Sequence, residues 1–487
     1  MLQLKSIFKK EINNNPYLLV NFVFAFFPFS FIFGNLITNI NIVLFCILGI
    51  FHLRSKIFEI KFNLPIKIIF LFFFIIFFST SLSFIKSLYF EGYEAIQLIR
   101  LTKSIIFFRY FLLLLIIYKL SEQNVLNFKY FFFSAAFAAL LVTLDIIFQY
   151  IFGFNTIGLK SHGSHNSGFF GEEWIAGGFI QNFSFFSILF TIFIFKDKKY
   201  FRFILTIFAI CILGMAIVFS GNRAPLILFI FGLILIILFH KDLRKIFSVA
   251  LICFFLIFKF ILTFDSKIYS TYQSTFHNIR GLITPLHNLY ANNTFNVEAE
   301  KNFKSSLKEE KYLFPLYPQY SGFFRSQQPQ IRLFLTAIDT WKKNKIFGNG
   351  IKSFRIDCYN LAGSTIYPET GYNLYLEVML FKKNRLCSNH PHNYYFEILT
   401  ETGIVGIFIT TILALLFITF ILKNFKIFVG SKSENFILLA ASVSLILEVF
   451  PFKPTGSIFT TNDATYIILL SSIIISYYER MFGRQIE

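Results

Sequence analysis

The sequence predicts an all-α integral membrane protein with about twelve transmembrane helices and one large extramembrane loop. Three observations carry that prediction. Hydrophobic residues make up 56% of the 487, charged residues 15%, and mean hydropathy is +0.65. A soluble domain with so few charges could not cover its apolar surface. The apolar residues come in runs of roughly 20, the length that crosses a bilayer as a helix. The basic residues gather between alternate runs, as they do in cytoplasmic loops. The net charge of +19 therefore reads as topology, and no nucleic-acid partner is expected.

The candidate spans are about 17–34, 37–53, 64–84, 104–119, 130–151, 174–195, 203–220, 224–240, 246–264, 404–422, 434–451 and 463–478. The first follows Lys5, Lys9 and Lys10, which resembles the start of a signal peptide. No A-x-A-like cleavage site follows closely, so an uncleaved anchor is expected. With the N-terminus inside, the cytoplasmic loops carry Arg54, Lys56 and Lys61, then Lys119 and Lys129, then Lys196, Lys198, Lys199 and Arg202. Lys241, Arg244 and Lys245 follow, then Lys423, Lys426 and Lys432, and the tail carries Arg480 and Arg484. Outer turns such as "GNLITNI" and "SGNRAP" carry little charge, and both termini fall inside. Lys86, Arg100 and Lys103 break the pattern on the outer side.

Three regions follow. Residues 1–264 form an N-terminal bundle of about nine helices, 265–403 a large outer loop, and 404–487 the remaining helices and a cytoplasmic tail. The loop is rich in Tyr, Asn, Lys and Pro, and is too long for a plain connection. Its aromatic content argues for partial folding. Within it, "IRLFLTAIDTWKKN" (331–344) has helical spacing of Leu333, Ala337, Ile338 and Trp341, and "FGNGIKSF" (347–354) is a glycine turn. A second outer loop at 153–174 carries His162, His165, Glu172 and Glu173. Cys46, Cys211 and Cys253 lie in apolar runs and read as packing residues. Cys358 and Cys387 lie in the polar loop, where an oxidising compartment would let them pair.

Ionisable groups concentrate in "NHPHNYYFEILTETGIVG" (389–406), where a membrane helix should be starting. Asn393 reads as an N-cap with Tyr394 opening the helix. Glu397 and Glu401 then share a face, and Gly403 and Gly406 permit close helix packing. His390 and His392 fall at the helix entrance, where an imidazole can exchange protons near neutral pH. The bland reading is an interfacial polar belt. A His-Pro-His metal site lacks a convincing further ligand set, so no metal is assigned. In "FSGNRAPLILF" (219–229), Arg223 is flanked by apolar runs. It reads either as a snorkelling arginine or as a bidentate clamp for phosphate oxygens.

Together these elements resemble the O-antigen ligase and O-antigen polymerase superfamily. The resemblance rests on His392-Asn393, Phe396 (where Leu is usual), Glu401, Gly403 and Gly406, and on Ser220, Gly221 and Arg223 upstream. "AIDTWKKNKIFGNGIKSF" (337–354) looks like the family's tryptophan segment with its F-G-x-G turn. The match covers roughly residues 200–455. It implies a GT-C-type membrane glycosyltransferase of the bacterial inner membrane, multi-pass, with the large loop periplasmic. Such an enzyme takes a glycan from a polyprenyl (undecaprenyl) diphosphate carrier without a cofactor. It joins the glycan to lipid A-core, as a ligase, or to a carrier-linked glycan, as a polymerase. Both subfamilies share the His-Asn element, and the ligase-type label is preferred because the C-terminal motif is complete.

On that reading Arg223 stabilises the diphosphate leaving group and His392 is the base for the attacking hydroxyl. Arg332 is a possible second phosphate contact. His390, Asn393, Glu173 and Lys453 are weaker substrate contacts, and Glu401 orients the helix start. A Cys358–Cys387 disulfide would tie the histidine segment to the folded part of the loop. A flippase or other transporter is the alternative from another class. It predicts ionisable groups inside several helices, whereas Asp145 is the clearest acidic residue inside an apolar run. A non-catalytic assembly protein would leave Arg223 and His392 without a joint explanation.

Overall fold

The computed structural model describes residues 17–88, 94–163, 165–273, 329–361, 387–423 and 433–482. Among these the chain is helical, with only isolated bridges of extended pairing. Every predicted apolar run coincides with helix. The first run becomes α1 (Leu18–Ala25) and α2 (Phe27–Ile32), followed by α3 (Asn35–Leu53) and α4 (Leu64–Ser87). Next come α5 (Glu94–Phe107), α6 (Arg109–Glu122), α7 (Phe128–Phe152), α8 (Ala176–Ile194), α9 (Lys199–Phe219), α10 (Arg223–Phe239) and α11 (Lys241–Phe264). Two helices of the polar segment, α12 (Pro329–Trp341) and α13 (Phe354–Leu361), precede α14 (Tyr394–Lys423), α15 (Ser433–Glu448) and α16 (Thr461–Phe482). Among the described residues, eight helical stretches are long and apolar enough to cross a membrane, α5 and α6 counting as one at Ile96–Glu122. Leu18–Ile32 and Arg223–Phe239 are shorter apolar helices. Lys5, Lys9, Lys10, Lys426, Lys432, Arg484 and much of the polar loop lie outside the described residues.

Local chemistry sets the helix ends. The Asn63 side chain accepts from Ile66 N at 3.1 Å with Pro65 just inside α4, and Asn127 caps α7 through Lys129 N at 3.0 Å. Gly153 closes α7 with φ +78°, the left-handed stop that favours glycine. The predicted span 434–451 overshoots: α15 stops at Glu448, and 449–458 turns back into the bundle. Asp145, the acidic residue inside α7, accepts from Thr156 N (2.9 Å) and Thr156 Oγ1 (2.5 Å). It therefore anchors the 153–174 loop onto the helix end.

Phenylalanine rings dominate the core. Phe24 alone touches Phe27, Phe45, Phe128 and Phe131 in tilted or edge-on pairs. Lipid is as apolar as these side chains, so close packing rather than water exclusion gives them their preference for the interior. Gly232 meets that demand where Phe185 and Leu447 leave no room for a Cβ. The last helices are inserted among the first: α14 packs on α4, α15 on α8, and α16 on α6. Chain regions hundreds of residues apart thus meet within the bundle.

Candidate active site

The histidine segment is built as an extension of α14. Asn393 Oδ1 accepts from Tyr395 N (3.0 Å) and Phe396 N (3.2 Å), while its Nδ2 donates to the Pro451 carbonyl (2.7 Å). Its amide is thus engaged on both sides. His392, just ahead of the cap, has φ +55°, a left-handed backbone that non-glycine residues rarely hold without a reason. The contact that holds it is the Thr455 N–H donating to the His392 carbonyl at 3.1 Å. The His390 and His392 rings lie 4.2 Å apart, and the Thr455 carbonyl faces both. Burial lowers the pKa of each imidazole. His390 falls to about 4, because burial is joined by the neighbouring His392 and the Arg355 charge. Both rings are therefore neutral at pH 7, each with a lone pair to take a proton.

Behind the histidines, the first turn of α14 grips the 449–458 crossover. Tyr394 Oη donates to Glu448 (2.7 Å), Tyr395 Oη to the Val449 carbonyl (2.6 Å), and Glu397 accepts from Ser457 Oγ (2.6 Å) and Ile458 N (2.9 Å). Lys453 Nζ lies 2.6 Å from Glu448 Oε2, with both side chains largely buried. Lys453 therefore points into the protein. Among the described residues no three His, Cys, Asp or Glu side chains converge as metal ligands.

On the other side, the glycine turn plugs a break in α14. Gly403 has φ +69° and ψ −163°, so α14 is two helices joined at a kink. The backbone groups freed there are taken up by the turn. Asn349 N donates to the Thr400 carbonyl (2.9 Å) and Gly350 N to the Glu401 carbonyl (2.9 Å). In return Ile404 N donates to the Lys345 carbonyl (3.0 Å) and Val405 N to the Ile346 carbonyl (3.2 Å). A broken helix at membrane depth is tolerated when its polar groups are satisfied in this way. The Glu401 carboxylate accepts from Lys352 N at 2.6 Å, so it fastens the turn. Arg100 also holds the turn, donating from Nε to the Ile351 carbonyl (3.0 Å) and from Nη2 to the Asn349 carbonyl. The outer-side charge exception is thus partly a buried clasp, and Lys86 adds a 2.8 Å bond to Asn344.

Sequence reasoning missed Arg355 and Lys352, the basic groups that this plug delivers beside Lys103 of α5. Arg355, on the first turn of α13, lies within electrostatic reach of His390, Lys352 and Lys103. Its Nε is buried without a hydrogen-bond partner among the described residues. Burial, then the Arg355 and Lys103 charges, lower the Lys352 pKa. Arg355, beside His390 and with Lys352 and Lys103 clustered on it, makes a basic site that attracts an anion. The Cys358–Cys387 disulfide, with Cα atoms 5.6 Å apart, ties α13 to the start of the histidine segment. An apolar cavity of about 550 Å3 runs beneath, along α14 from Tyr394 and Tyr395 to Phe417 and Lys423, against α4 and α16.

Arg223 opens α10 elsewhere. Its neighbours are His165, Tyr272 and the 153–174 loop, whose Trp174 carbonyl accepts from Asn222 Nδ2 (2.9 Å) and whose Trp174 ring stacks on His165 at 4.4 Å. No hydrogen bond or ion pair joins it to His392 among the described residues. Phe231 packs on Phe450 at 5.2 Å, so Arg223, eight residues earlier, stands about 12 Å along the helix from the start of the crossover. Glu173 lies in the same loop and is exposed. Arg332 lies within the first turn of α12, and α12 packs on α14.

Residues 207–411 match the family model described as O-antigen ligase. The matched segment contains Arg223, Arg355, His390, His392 and the glycine turn. It is the family read from the motifs. No curated protein matches the sequence.

Proposed function

We propose that this multi-helix bacterial membrane protein is a glycosyltransferase of the O-antigen ligase type, with a polyprenyl-diphosphate-linked glycan as donor and lipid A-core as acceptor. The observation that carries the reading is a neutral histidine pair with Arg355 beside His390, Lys352 and Lys103 next to that arginine, and an apolar cavity lined by Tyr394 and Tyr395 just after the histidines. An acceptor hydroxyl attacks the anomeric carbon, the bond to the diphosphate breaks, and His392 takes the hydroxyl proton. The charge that develops on the departing diphosphate is met by Arg355, Lys352 and Lys103, which are already in place and need no reorganisation. Arg223 and Arg332 are further anion contacts, His390 and Glu173 lie toward the glycan, and Asn393 orients His392. The apolar cavity suits the carrier's hydrocarbon chain. The charge distribution supports a periplasmic site, cytoplasmic termini and about twelve spans.

The test is complementation of a deletion strain with wild type, His392→Ala and Arg355→Ala, with membrane levels measured. Wild type alone should restore glycan transfer, and the attachment point and chain length separate ligase from polymerase. Normal transfer by the well-inserted variants would remove both residues from the mechanism.

A further inference from the structure

The 449–458 crossover has no role in the chemistry above, yet it carries the groups that shape the histidine pair. Thr455 N holds the His392 carbonyl and so fixes the left-handed backbone, and the Thr455 carbonyl faces both imidazoles. A carbonyl beside the ring can take one ring N–H and leave the opposite nitrogen to accept a proton, the part an orienting carboxylate plays in other histidine bases. Thr455 can do this only if the crossover is rigid. Its first leg is closed by Lys453 Nζ on Glu448 Oε2 (2.6 Å), with Tyr394 Oη on the other carboxylate oxygen (2.7 Å). Its second leg is fixed by Ser457 and Ile458 on Glu397. Lys453 makes a further main-chain bond to the Phe450 carbonyl, which tightens the loop to one turn.

We infer that the Lys453–Glu448 ion pair is a positioning device: it locks the crossover so that Thr455 sets the backbone and the proton-bearing nitrogen of His392. The inference assigns Lys453 to orientation instead of substrate contact, and its catalytic consequence rests on His392 being the base proposed above. A pair this buried is suited to the task, because removing one partner leaves the other charge uncompensated and forces the loop to rearrange. The charged group beside the histidines is Arg355 of α13, whose own neighbours are Lys352 of the glycine turn and Lys103 of α5. Packed against the crossover are Glu397 of α14, Glu448 at the end of α15 and Asp463 of α16, with Lys453 on the crossover itself.

The experiment compares wild type, Lys453→Met and Lys453→Arg, purified in detergent, by two readouts. One is the pH midpoint for carbethoxylation of His392 by diethyl pyrocarbonate, followed by peptide mass spectrometry. The other is glycan transfer, resolved into kcat and donor KM. In Lys453→Met the midpoint should fall, because the Thr455 backbone contact that raises the His392 pKa is withdrawn, and kcat should fall about tenfold or more with donor KM little changed. Lys453→Arg should return both toward wild type. An unchanged His392 midpoint in all three proteins overturns the inference, whether or not activity falls. A raised KM at constant kcat also overturns it and makes Lys453 a substrate contact. If His392→Ala transfers glycan as wild type does, the catalytic reading fails, while the midpoint still decides whether Lys453 positions the ring. Because Lys453→Met can fail to fold, Glu448→Gln, which keeps the shape of the carboxylate, serves as the second variant with the same expected shift.

Discussion

Replacing Gly403 with alanine should damage this protein far more than replacing Gly34, although both glycines hold nearly the same backbone conformation. Gly34 has φ +89° and ψ −177°, and Gly403 has φ +69° and ψ −163°. Any residue with a Cβ is strained there, at roughly 1–3 kcal/mol. The surroundings differ. A Cβ at Gly34 meets nothing within 4 Å. At Gly403 it would lie 2.2 Å from the Ile346 carbonyl oxygen and 2.6 Å from Gly348 N, both backbone atoms of the docked turn. The turn must therefore withdraw, which adds overpacking of about 1–3 kcal/mol and disturbs the bonds between Ile404 and Lys345 and between Val405 and Ile346. Gly403→Ala should lose roughly 2–6 kcal/mol in all and Gly34→Ala only the first 1–3. Thermal unfolding of both variants in the same detergent, with wild type beside them, reads the difference. Equal losses would refute the account of α14 as a helix broken to receive the glycine turn.

Three other outcomes follow from the same geometry. Reducing the Cys358–Cys387 bond, or making Cys358→Ser, should cost about 3–4 kcal/mol in the chain-entropy model. Glycan transfer should fall with it, and transfer indifferent to reductant would argue that the histidine segment holds itself. Burial lowers the His392 pKa, so the ring stays neutral below the usual imidazole value of about 6.5. Transfer should hold level as pH falls through that value and drop only when the lowered pKa is passed, and a pH–rate profile with its midpoint above about 7 would contradict it. Arg355→Ala should reduce kcat/KM for the donor by about 100-fold or more, with partial recovery in Arg355→Lys, and a loss confined to acceptor KM would place Arg355 elsewhere.

Much of this architecture can be read from local sequence. Apolar run length locates the helices, Asn393 announces the start of α14, and the spacing of Gly348 and Gly350 announces a turn. What cannot be read locally is where that turn goes. Gly403 looks like a small residue for helix packing, yet it breaks the helix against residues more than fifty positions earlier. Arg100 looks like a topological exception because its partners, Asn349 and Ile351, are some 250 residues away. Arg355 and Lys352 sit in a polar segment with no spacing signal, and only the docking of the plug brings Arg355 to His390. The 449–458 crossover is hidden for a different reason: its apolar residues continue the hydropathy of α15, and although Pro451 marks a helix end nearby, nothing local shows the segment turning back to the histidines. Arg223 shows the converse. Its motif is plain in the sequence, while its neighbours, His165 and Tyr272, come from other segments.

The most direct measurement of the central claim uses purified protein in proteoliposomes with a polyprenyl-diphosphate-linked glycan and a lipid A-core acceptor. Release of free polyprenyl diphosphate and formation of the glycosylated acceptor are followed together for wild type and for His392→Gln, a variant that can hydrogen-bond but cannot take a proton at neutral pH. The account predicts stoichiometric release and transfer by wild type, and a His392→Gln protein that retains donor binding but loses turnover by at least about 100-fold. Turnover by His392→Gln at the wild-type rate would contradict the assignment of His392 as the base.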